Sequence, residues 1–434
     1  MTRPSPHNGA RWGAAVAVLA LSTLALTGSA GAREATTTDR TGNADQARDG
    51  ERGGTTPGKK TKAPRTAHPG DIVSAEPSSY RPLPDLPSDA KAWKIQYRST
   101  DANGQPNVVS GTVIIPDDDR TGPRPLITHA VGTVGLGDQC APSAGFHDGS
   151  TREGALIHGA VQRGWAVAIT DYQGLGTPGD HAYTVGPAAG SAVLDAARAA
   201  QRLPDSAGLG VSTDSPVGLM GYSQGGQASA WAAEMHHSYA PELKVKGSAS
   251  GGTPANLFKV AEANNGGDHA GFLLMAAVGF NASYPELDLD KYFNDRGKKL
   301  TDEARNQCGG DILAAAKGVR IEELTTTNPL EQPDWQQRLG ESTLGTKSPG
   351  VPALLYHSDA DEIIPFEVGR KLRADWCAAG NPTDWYTFPG LSHTTAAMNG
   401  YGWALEWMND RFEGKPQDGC GTNKLRVGKA SSAR

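Results

Sequence analysis

Two patterns of hydrophobic and polar positions divide the chain. Apolar and polar residues alternate in Trp93–Tyr97, and Val108–Ile115 follows as a second extended segment, so the sequence predicts an antiparallel hairpin that opens the folded domain. Short apolar runs separated by helix-sized segments come next: Pro125–Thr128, Ala166–Thr170, Val217–Met220, Val245–Ala249, Val351–Tyr356 and Trp385–Phe388. This rhythm is typical of an α/β fold, in which helices cover both faces of a mostly parallel sheet.

Proline positions mark the ends of two of the intervening helices. Ala188–Arg202 stops before Pro204, and Gln224–Tyr239 stops before Pro241. A residue that precedes proline is disfavoured in the helical conformation, so we predict helices over these two segments.

The rhythm breaks once, at residues 254–349, where a minimal α/β unit would need a single helix. We therefore predict an inserted cap at 254–349, between two parts of the core at 71–253 and 350–421. Its most apolar stretch, Gly271–Phe280, is too short to cross a bilayer. Two interpretations stay open for this stretch: a buried cap helix, or a lid that touches lipid.

The N-terminal residues 1–32 have the three parts of a signal peptide. Arg3 and Arg11 are basic, Trp12–Leu26 is apolar, and Ser29–Ala32 offers a small-residue cleavage site. The apolar run is shorter than the roughly 20 residues of a membrane span. We predict cleavage at the end of this segment and secretion.

Charge and composition limit the classes of partner that the protein can bind. Residues 33–70 are polar with almost nothing apolar, which predicts a disordered linker, and residues 422–434 form a basic tail. The formal net charge of −6 becomes −8 in the mature chain, because the signal peptide carries two Arg and no acid. A mildly acidic surface disfavours nucleic acid as a partner.

The four cysteines of the chain are Cys140, Cys308, Cys377 and Cys420. None of them forms a C-x-x-C pair, and a secreted protein meets an oxidising environment. Two disulfides are therefore expected rather than a metal site. Three pairings stay open on spacing alone.

Gly221–Gly225 reads G-x-S-x-G between a predicted strand and a predicted helix. In this setting the turn is so tight that Ser223 is exposed above the sheet, where it can act as a nucleophile. The backbone N–H of Gln224 and the positive end of the helix point to the same place, so Gln224 is a candidate oxyanion donor.

A serine nucleophile needs a histidine base and an acid that orients it, in the order Ser, acid, His for this strand–turn–helix motif. Asp361 lies in the acidic loop after the strand Val351–Tyr356, and Asp359 is the alternative. His393 lies in a Gly-Pro loop after the last strand and is the predicted base. His357 with the two aspartates alternates along one extended segment, so we expect no metal there.

The second oxyanion donor is expected in the glycine-rich loop Thr128–Cys140, after the third predicted strand. The backbone N–H of Thr133 or Val134 is the candidate, because the glycines allow an amide to turn inward. The alternative is a flexible loop without a catalytic role.

The chain also resembles the secretory lipases of the lipase A type. Five blocks carry the resemblance: Gly137–Ser143, Gly164–Gly174, Gly221–Gly226, Ser238–Leu243 and Gly251–Pro254. The likeness extends from about residue 69 to residue 420, and it implies the α/β-hydrolase fold.

The resemblance also implies the roles of single residues. Ser223, Asp361 and His393 fall on the catalytic triad of the family, which favours Asp361 over Asp359. Cys140 matches the disulfide partner of Cys308, and Cys377 that of Cys420. The family uses the segment that corresponds to 254–349 as a cap that holds an acyl tunnel.

The residues and the resemblance together predict a secreted serine carboxylic-ester hydrolase, a triacylglycerol lipase or esterase that forms an acyl-enzyme on Ser223. We expect an ester or lipid substrate, transient contact with a lipid interface, a monomer, and no cofactor. An acyltransferase with the same acyl-enzyme and a secreted amidase or peptidase on the same fold stay open as alternatives.

Overall fold

The computed structural model describes residues 67–120, 122–417 and 419–421. The predicted signal peptide, the predicted linker up to residue 66 and the predicted basic tail lie outside the described residues. These three assignments therefore stay predictions.

The described strands form one nine-stranded sheet. They are β1 (Ile72–Ser78), β2 (Lys91–Thr100), β3 (Pro106–Ile115), β4 (Leu126–Ala130), β5 (Ala166–Tyr172), β6 (Val217–Tyr222), β7 (Val245–Gly251), β8 (Ala353–Ser358) and β9 (Thr383–Phe388). Their order across the sheet is β1-β2-β3-β5-β4-β6-β7-β8-β9. The pairs β1/β2, β2/β3 and β3/β5 are antiparallel, and from β5 to β9 all neighbours run parallel.

The hydrophobic pattern predicted most of this sheet. The antiparallel hairpin is confirmed as β2 and β3, with Trp93 opposite Val113, and the six apolar runs are confirmed as β4 to β9. The prediction that the hairpin opens the domain is wrong, because β1 precedes it and pairs with β2. β1 is an edge strand whose residues are exposed or half-buried, Val73 to 47%, so it lacks a clear apolar alternation.

The described helices follow the strands along the chain. They are α1 (Pro142–Gly145), α2 (Gly154–Val161), α3 (Gly186–Arg202), α4 (Gln224–Tyr239), α5 (Leu257–Asn264), α6 (Gly271–Ser283), α7 (Asp295–Ala304), α8 (Gly309–Ala315), α9 (Ile321–Leu324), α10 (Pro333–Glu341), α11 (Phe366–Ala378) and α12 (His393–Phe412). Short 3-10 helices are formed by Asp138–Cys140, Ala207–Leu209, Pro285–Leu287, Leu289–Lys291 and Pro329–Glu331. The two helices predicted from the proline positions are confirmed as α3 and α4.

Helices cover both faces of the sheet, as side chains of β7 make clear. Ser250 accepts or donates a hydrogen bond at 2.7 Å to Ser229 of α4. On the opposite face, a Cβ atom on Gly247 would lie 3.0 Å from the ring of Trp407 of α12. Because successive residues of a strand alternate between faces, α4 and α12 lie on opposite sides of the sheet.

Residues 254–349 contain only helices and loops, from α5 to α10, between the adjacent strands β7 and β8. Their buried apolar side chains, among them Leu274, Phe280 and Trp335, lie in a cluster beside the main core, to which Leu136 and Tyr183, outside this segment, also contribute. No helix in the described ranges is long and apolar enough to cross a membrane.

Candidate active site

Ser223 stands at the turn between β6 and α4. Its φ of 60° and ψ of −123° put it in a conformation that costs a non-glycine residue about 1–3 kcal/mol. A Cβ atom on Gly225 would lie 1.9 Å from the carbonyl oxygen of Ala130, and one on Gly221 would lie 2.2 Å from the carbonyl oxygen of Gly225. The two glycines therefore let the turn close, and they bring the start of α4 against the loop that follows β4.

His393 and Asp361 form a buried hydrogen-bonded pair. His393 is the first residue of α12, and its Nδ1 atom lies 2.6 Å from Oδ2 of Asp361. Because a carboxylate only accepts, Nδ1 carries the hydrogen and Nε2 keeps its lone pair. The backbone N–H of His393 also donates to the carboxylate of Glu362 at 2.9 Å. The imidazole is thus held in the tautomer that can take a proton on Nε2.

Donors converge on Asp361 from two directions. Its Oδ1 accepts from the backbone N–H groups of Ile363, at 3.0 Å, and Ile364, at 2.8 Å. Its Oδ2 lies 3.1 Å from Nε2 of His357, in addition to the bond from His393. Burial by itself raises the pKa of Asp361, but the hydrogen bonds from His357 and His393 outweigh burial and hold that pKa well below its usual range. Asp361 is therefore a fixed negative charge beside the imidazole.

Asp359, the alternative acid, is engaged elsewhere. It is exposed, and its Oδ1 accepts from the backbone N–H of Gly390 at 2.7 Å. The structure brings Asp361, and not Asp359, to His393. Within the described ranges, no group of three or more His, Cys, Asp or Glu side chains is arranged to hold a metal ion.

Two consecutive glycines make room for the imidazole. A Cβ atom on Gly252, where φ is +49°, would lie 3.0 Å from Cε1 of His393, and one on Gly251 would lie 2.3 Å from the ring of Tyr356. The ring of Tyr222 fits the same space, with its centroid 4.9 Å from that of His393. Tyr222 was not predicted from the sequence as a neighbour of the base. The sequence does contain a signal for this packing, since Gly251 and Gly252 end the strand next to the nucleophile turn and leave space for the rings.

Backbone N–H groups on both sides of Ser223 are available to a substrate oxygen. Among the described residues, no acceptor takes a hydrogen bond from the N–H of Gln224, Thr133 or Val134. The preceding N–H, that of Gly132, is already occupied by a carboxylate oxygen of Glu153 at 2.5 Å. The predicted oxyanion donors therefore have no hydrogen-bond acceptor in the part of the chain that the structure describes.

The side chain of Gln224 is held by a buried histidine. Its Nε2 lies 3.0 Å from Nε2 of His181, whose Nδ1 lies 3.0 Å from the carbonyl oxygen of Gln173. Because a carbonyl only accepts, Nδ1 of His181 carries the hydrogen and Nε2 accepts from the amide. Burial lowers the pKa of His181 to about 4, so the ring is neutral and adds no charge beside the nucleophile.

An apolar pocket leads from Ser223 into the 254–349 segment. It encloses about 1100 Å³, including its open mouth. Its walls include Leu257, Phe272, Leu274, Phe280, Trp335 and Ile363. Arg320 is the single charged residue among the described residues that line it. A concave apolar site beside a nucleophile is suited to an apolar group of a substrate.

The predicted stretch Gly271–Phe280 forms most of α6, one wall of this pocket. Met275 and Val278 are buried in the cluster of the 254–349 segment, whereas Phe272 and Ala277 line the pocket and are only half-buried. The helix is therefore a packed wall of the pocket. Contact of this helix with lipid stays a prediction.

The cysteines pair as the family resemblance implies. Cys140, in the loop after β4, is bonded to Cys308 at the start of α8, and Cys377 of α11 is bonded to Cys420. Beside the first disulfide, the N–H of Gly309 donates to the carbonyl oxygen of Val134 at 2.7 Å. The 254–349 segment is thus attached directly to the loop that holds the candidate oxyanion donors.

Comparison with known proteins supplies the family. The profile of the secretory lipase family matches residues 150–419, more than half of the chain. A secreted triacylglycerol lipase of Malassezia globosa is 29% identical over 77% of this chain and 76% of its own length. A Mycobacterium tuberculosis protein named a probable inactive lipase is 28% identical over 81% of this chain and 80% of its own length.

The fold of a solved lipase is also similar. The crystal structure of Candida antarctica lipase A in its closed state superposes with a TM-score of 0.75 at 25% identity, over 84% of this chain and 87% of that chain. The profile match extends across the nucleophile turn, the 254–349 segment and α12. This chain belongs to the secretory lipase family.

Proposed function

We propose that this chain is a secreted serine carboxylic-ester hydrolase that forms an acyl-enzyme on Ser223. The observation that carries the proposal is the 2.6 Å hydrogen bond between His393 and Asp361. The strained turn of Ser223 lies beside this pair, because the preceding residue, Tyr222, packs on the ring of His393. Membership of the family supports it. Because one relative is named a probable inactive lipase, the argument for activity depends on the chemistry of these residues.

In the acylation half, Nε2 of His393 takes the proton of the Ser223 hydroxyl as its oxygen bonds to the ester carbonyl carbon. The carbonyl oxygen becomes an oxyanion, which the N–H of Gln224 and that of Thr133 or Val134 stabilise. Each such donor contributes about 3 kcal/mol in the transition state. The intermediate then expels the alcohol, which takes the proton from the imidazolium, and the acyl group stays on Ser223.

In the deacylation half, water replaces the alcohol. His393 takes a proton from water as its oxygen attacks the acyl carbon, and the same donors stabilise the second oxyanion. Collapse breaks the bond to Ser223, which regains its proton from the imidazolium, and the free carboxylic acid leaves. Asp361 stabilises the positive imidazolium in both halves.

Lipid esters are the proposed substrates, and triacylglycerols are among them. The apolar pocket beside Ser223 suits a fatty acyl chain, and the Malassezia globosa relative is named for triacylglycerol. In this proposal residues 254–349 are the cap, and the pocket walls that they supply determine which acyl chains fit.

Hydrolysis rates across p-nitrophenyl acetate, butyrate, octanoate and palmitate test the substrate proposal. Ala277→Phe provides the matched comparison, because Ala277 lines the pocket on α6 and is half-buried. A larger side chain there fills part of the pocket, so hydrolysis of the palmitate should fall much more than hydrolysis of the acetate. Equal loss for both esters would contradict binding of the acyl chain in this pocket.

Product analysis separates the proposal from its alternatives. With a competing alcohol present, a hydrolase releases mainly free acid, whereas an acyltransferase yields mainly the new ester. Matched ester and anilide substrates of one acyl group distinguish an esterase from an amidase. Release of free acid, and hydrolysis of the ester without enzymatic hydrolysis of the anilide, are the expected results.

A further inference from the structure

Each of residues 131–134, a segment that we name the oxyanion loop, is hydrogen-bonded to a residue outside this segment. Tyr172 donates to the carbonyl oxygen of Val131 at 2.8 Å, and Tyr183 bonds the hydroxyl of Thr133 at 2.7 Å. Gly309 donates to Val134, and Gly132 donates to Glu153. Of these four contacts, the one to Gly132 involves a carboxylate that the proposed mechanism does not use.

Glu153 precedes α2 and reaches the oxyanion loop with both carboxylate oxygens in use. Its Oε1 accepts the N–H of Gly132 at 2.5 Å, and its Oε2 is hydrogen-bonded to Nε2 of His129. A Cβ atom on Gly132 would lie 2.9 Å from Oε1, so only glycine lets the carboxylate approach without displacement. The side chain of Glu153 is 22% exposed and that of His129 is 1% exposed.

The contact continues to the helix of the proposed base. Nδ1 of His129 lies 2.9 Å from the hydroxyl of Tyr401, a buried residue of α12. Because the carboxylate of Glu153 only accepts, Nε2 of His129 carries a hydrogen and donates it to Glu153. In this tautomer Nδ1 accepts, so the hydroxyl of Tyr401 donates to it. One chain of hydrogen bonds therefore joins the oxyanion loop to the helix that begins with His393.

We propose that Glu153 is a positioning residue for the oxyanion hole. Its carboxylate fixes the peptide N–H of Gly132, and with it the orientation of the following N–H groups of Thr133 and Val134. Through His129 and Tyr401 it also holds that loop in register with α12. This inference rests on the proposed serine hydrolase function, since a positioned oxyanion donor has a role only in that reaction.

The position of an oxyanion donor affects the transition state more than the bound ester, because charge develops on the carbonyl oxygen only as the nucleophile attacks. Loss of a whole donor lowers kcat by about 10²–10³-fold. A displaced donor should have a smaller effect. Glu153→Ala should therefore lower kcat by roughly 10- to 100-fold and leave KM within about threefold.

Glu153→Gln is the conservative variant. The amide oxygen of glutamine can still accept the N–H of Gly132. Its NH₂ group would face His129, which can respond by moving its hydrogen to Nδ1 and donating to the hydroxyl of Tyr401. The two bonds of the His129 ring then run in the reverse direction, and the bond from Gly132 keeps its direction. Glu153→Gln should keep kcat within about threefold of the wild type.

Glu406→Ala is the matched control. Glu406 of α12 pairs with Arg163, just beyond α2, so this variant also removes a contact between the α2 region and α12. It lies on the surface and does not touch the oxyanion loop. Its kcat should equal that of the wild type.

The experiment measures kcat and KM on p-nitrophenyl butyrate, together with the thermal unfolding midpoint, for the wild type, Glu153→Ala, Glu153→Gln and Glu406→Ala. A fall in kcat for Glu153→Ala alone supports the proposal. Wild-type kcat in Glu153→Ala, an effect on KM alone, or equal losses in Glu153→Ala and Glu153→Gln would overturn it. If Glu153→Ala does not fold, Glu153→Asp replaces it, since the shorter carboxylate draws Gly132 away and should lower kcat in the same way.

Inactivation by diethyl p-nitrophenyl phosphate separates this inference from the proposed function. Ser223 displaces p-nitrophenolate from phosphorus, and the phosphoryl oxygen occupies the oxyanion hole. A wild type that is not labelled on Ser223 refutes the proposed function itself. A labelled wild type with an equally fast Glu153→Ala refutes only the positioning role of Glu153.

Discussion

The backbone N–H of Gly309 lies 2.7 Å from the carbonyl oxygen of Val134. The first residue belongs to the 254–349 segment and the second to the oxyanion loop, and the Cys140–Cys308 disulfide lies beside them. This contact attaches the pocket wall to the part of the core where the proposed oxyanion forms. Changes that loosen the wall are therefore expected to affect catalysis as well as substrate binding.

Removal of this disulfide should reduce activity more than removal of the other one. The disulfides close loops of 168 and 43 residues, so chain entropy predicts similar losses of about 5 and about 4 kcal/mol in the free energy of unfolding. Only Cys140–Cys308 lies beside the oxyanion loop. At a temperature where both variants are folded, the Cys140→Ala/Cys308→Ala variant should have the lower kcat on p-nitrophenyl butyrate.

The Cys377→Ala/Cys420→Ala variant is the control, with near wild-type kcat. Circular dichroism establishes that both variants are folded at the assay temperature. Equal kcat values in the two variants would contradict the role of the Gly309–Val134 contact.

Gly225→Ala should inactivate the enzyme. Its Cβ would lie 1.9 Å from the carbonyl oxygen of Ala130, so the turn or the loop after β4 must shift, at about 1–3 kcal/mol in the free energy of unfolding. Gly402→Ala is the matched control, since nothing lies within 4 Å of its Cβ position in α12. Activity and urea unfolding of both variants test the expectation, and an active Gly225→Ala would mean that the turn is less constrained than its geometry indicates.

His181 should make the protein less stable in mild acid. The unfolded chain binds a proton at this histidine below pH 6.5, whereas the folded chain does so only below about pH 4, because burial disfavours the charged ring. The free energy of unfolding therefore decreases as pH falls from about 6.5 towards 4, by about 3 kcal/mol in total from this group.

His181→Asn isolates that contribution, because its amide can still donate to the carbonyl of Gln173 and does not titrate. Urea unfolding at several pH values between 4 and 7.5 gives the comparison. Wild type should lose more stability in acid than His181→Asn. Identical pH slopes for the two proteins would show that the imidazole does not carry the effect.

Local patterns were enough to predict most of the fold. Buried parallel strands appear as continuous apolar runs, and a nucleophile turn needs glycines two positions before and after the serine, so both leave signals in short stretches of sequence. The edge strand β1 leaves none, since it is exposed and half-polar. The division into residues 71–253, 254–349 and 350–421 stays a prediction.

The supporting residues of the site could not be predicted from the same patterns. Tyr401 and His129 are 272 residues apart, and Glu153 is an ordinary acid in the sequence. These three residues are hydrogen-bonded to one another only because β4, the start of α2 and α12 lie side by side in the fold. The same holds for His181 and Gln224, whose hydrogen bond no spacing rule indicates.

Ser223→Ala is the most direct test of the central claim. The variant removes only the hydroxyl from a residue whose backbone is held by the turn, so its circular dichroism and thermal unfolding midpoint should match those of the wild type. Hydrolysis of p-nitrophenyl butyrate should fall by about 10⁴-fold or more. Ester hydrolysis at the wild-type rate by a folded Ser223→Ala protein would contradict the assignment of Ser223 as the nucleophile.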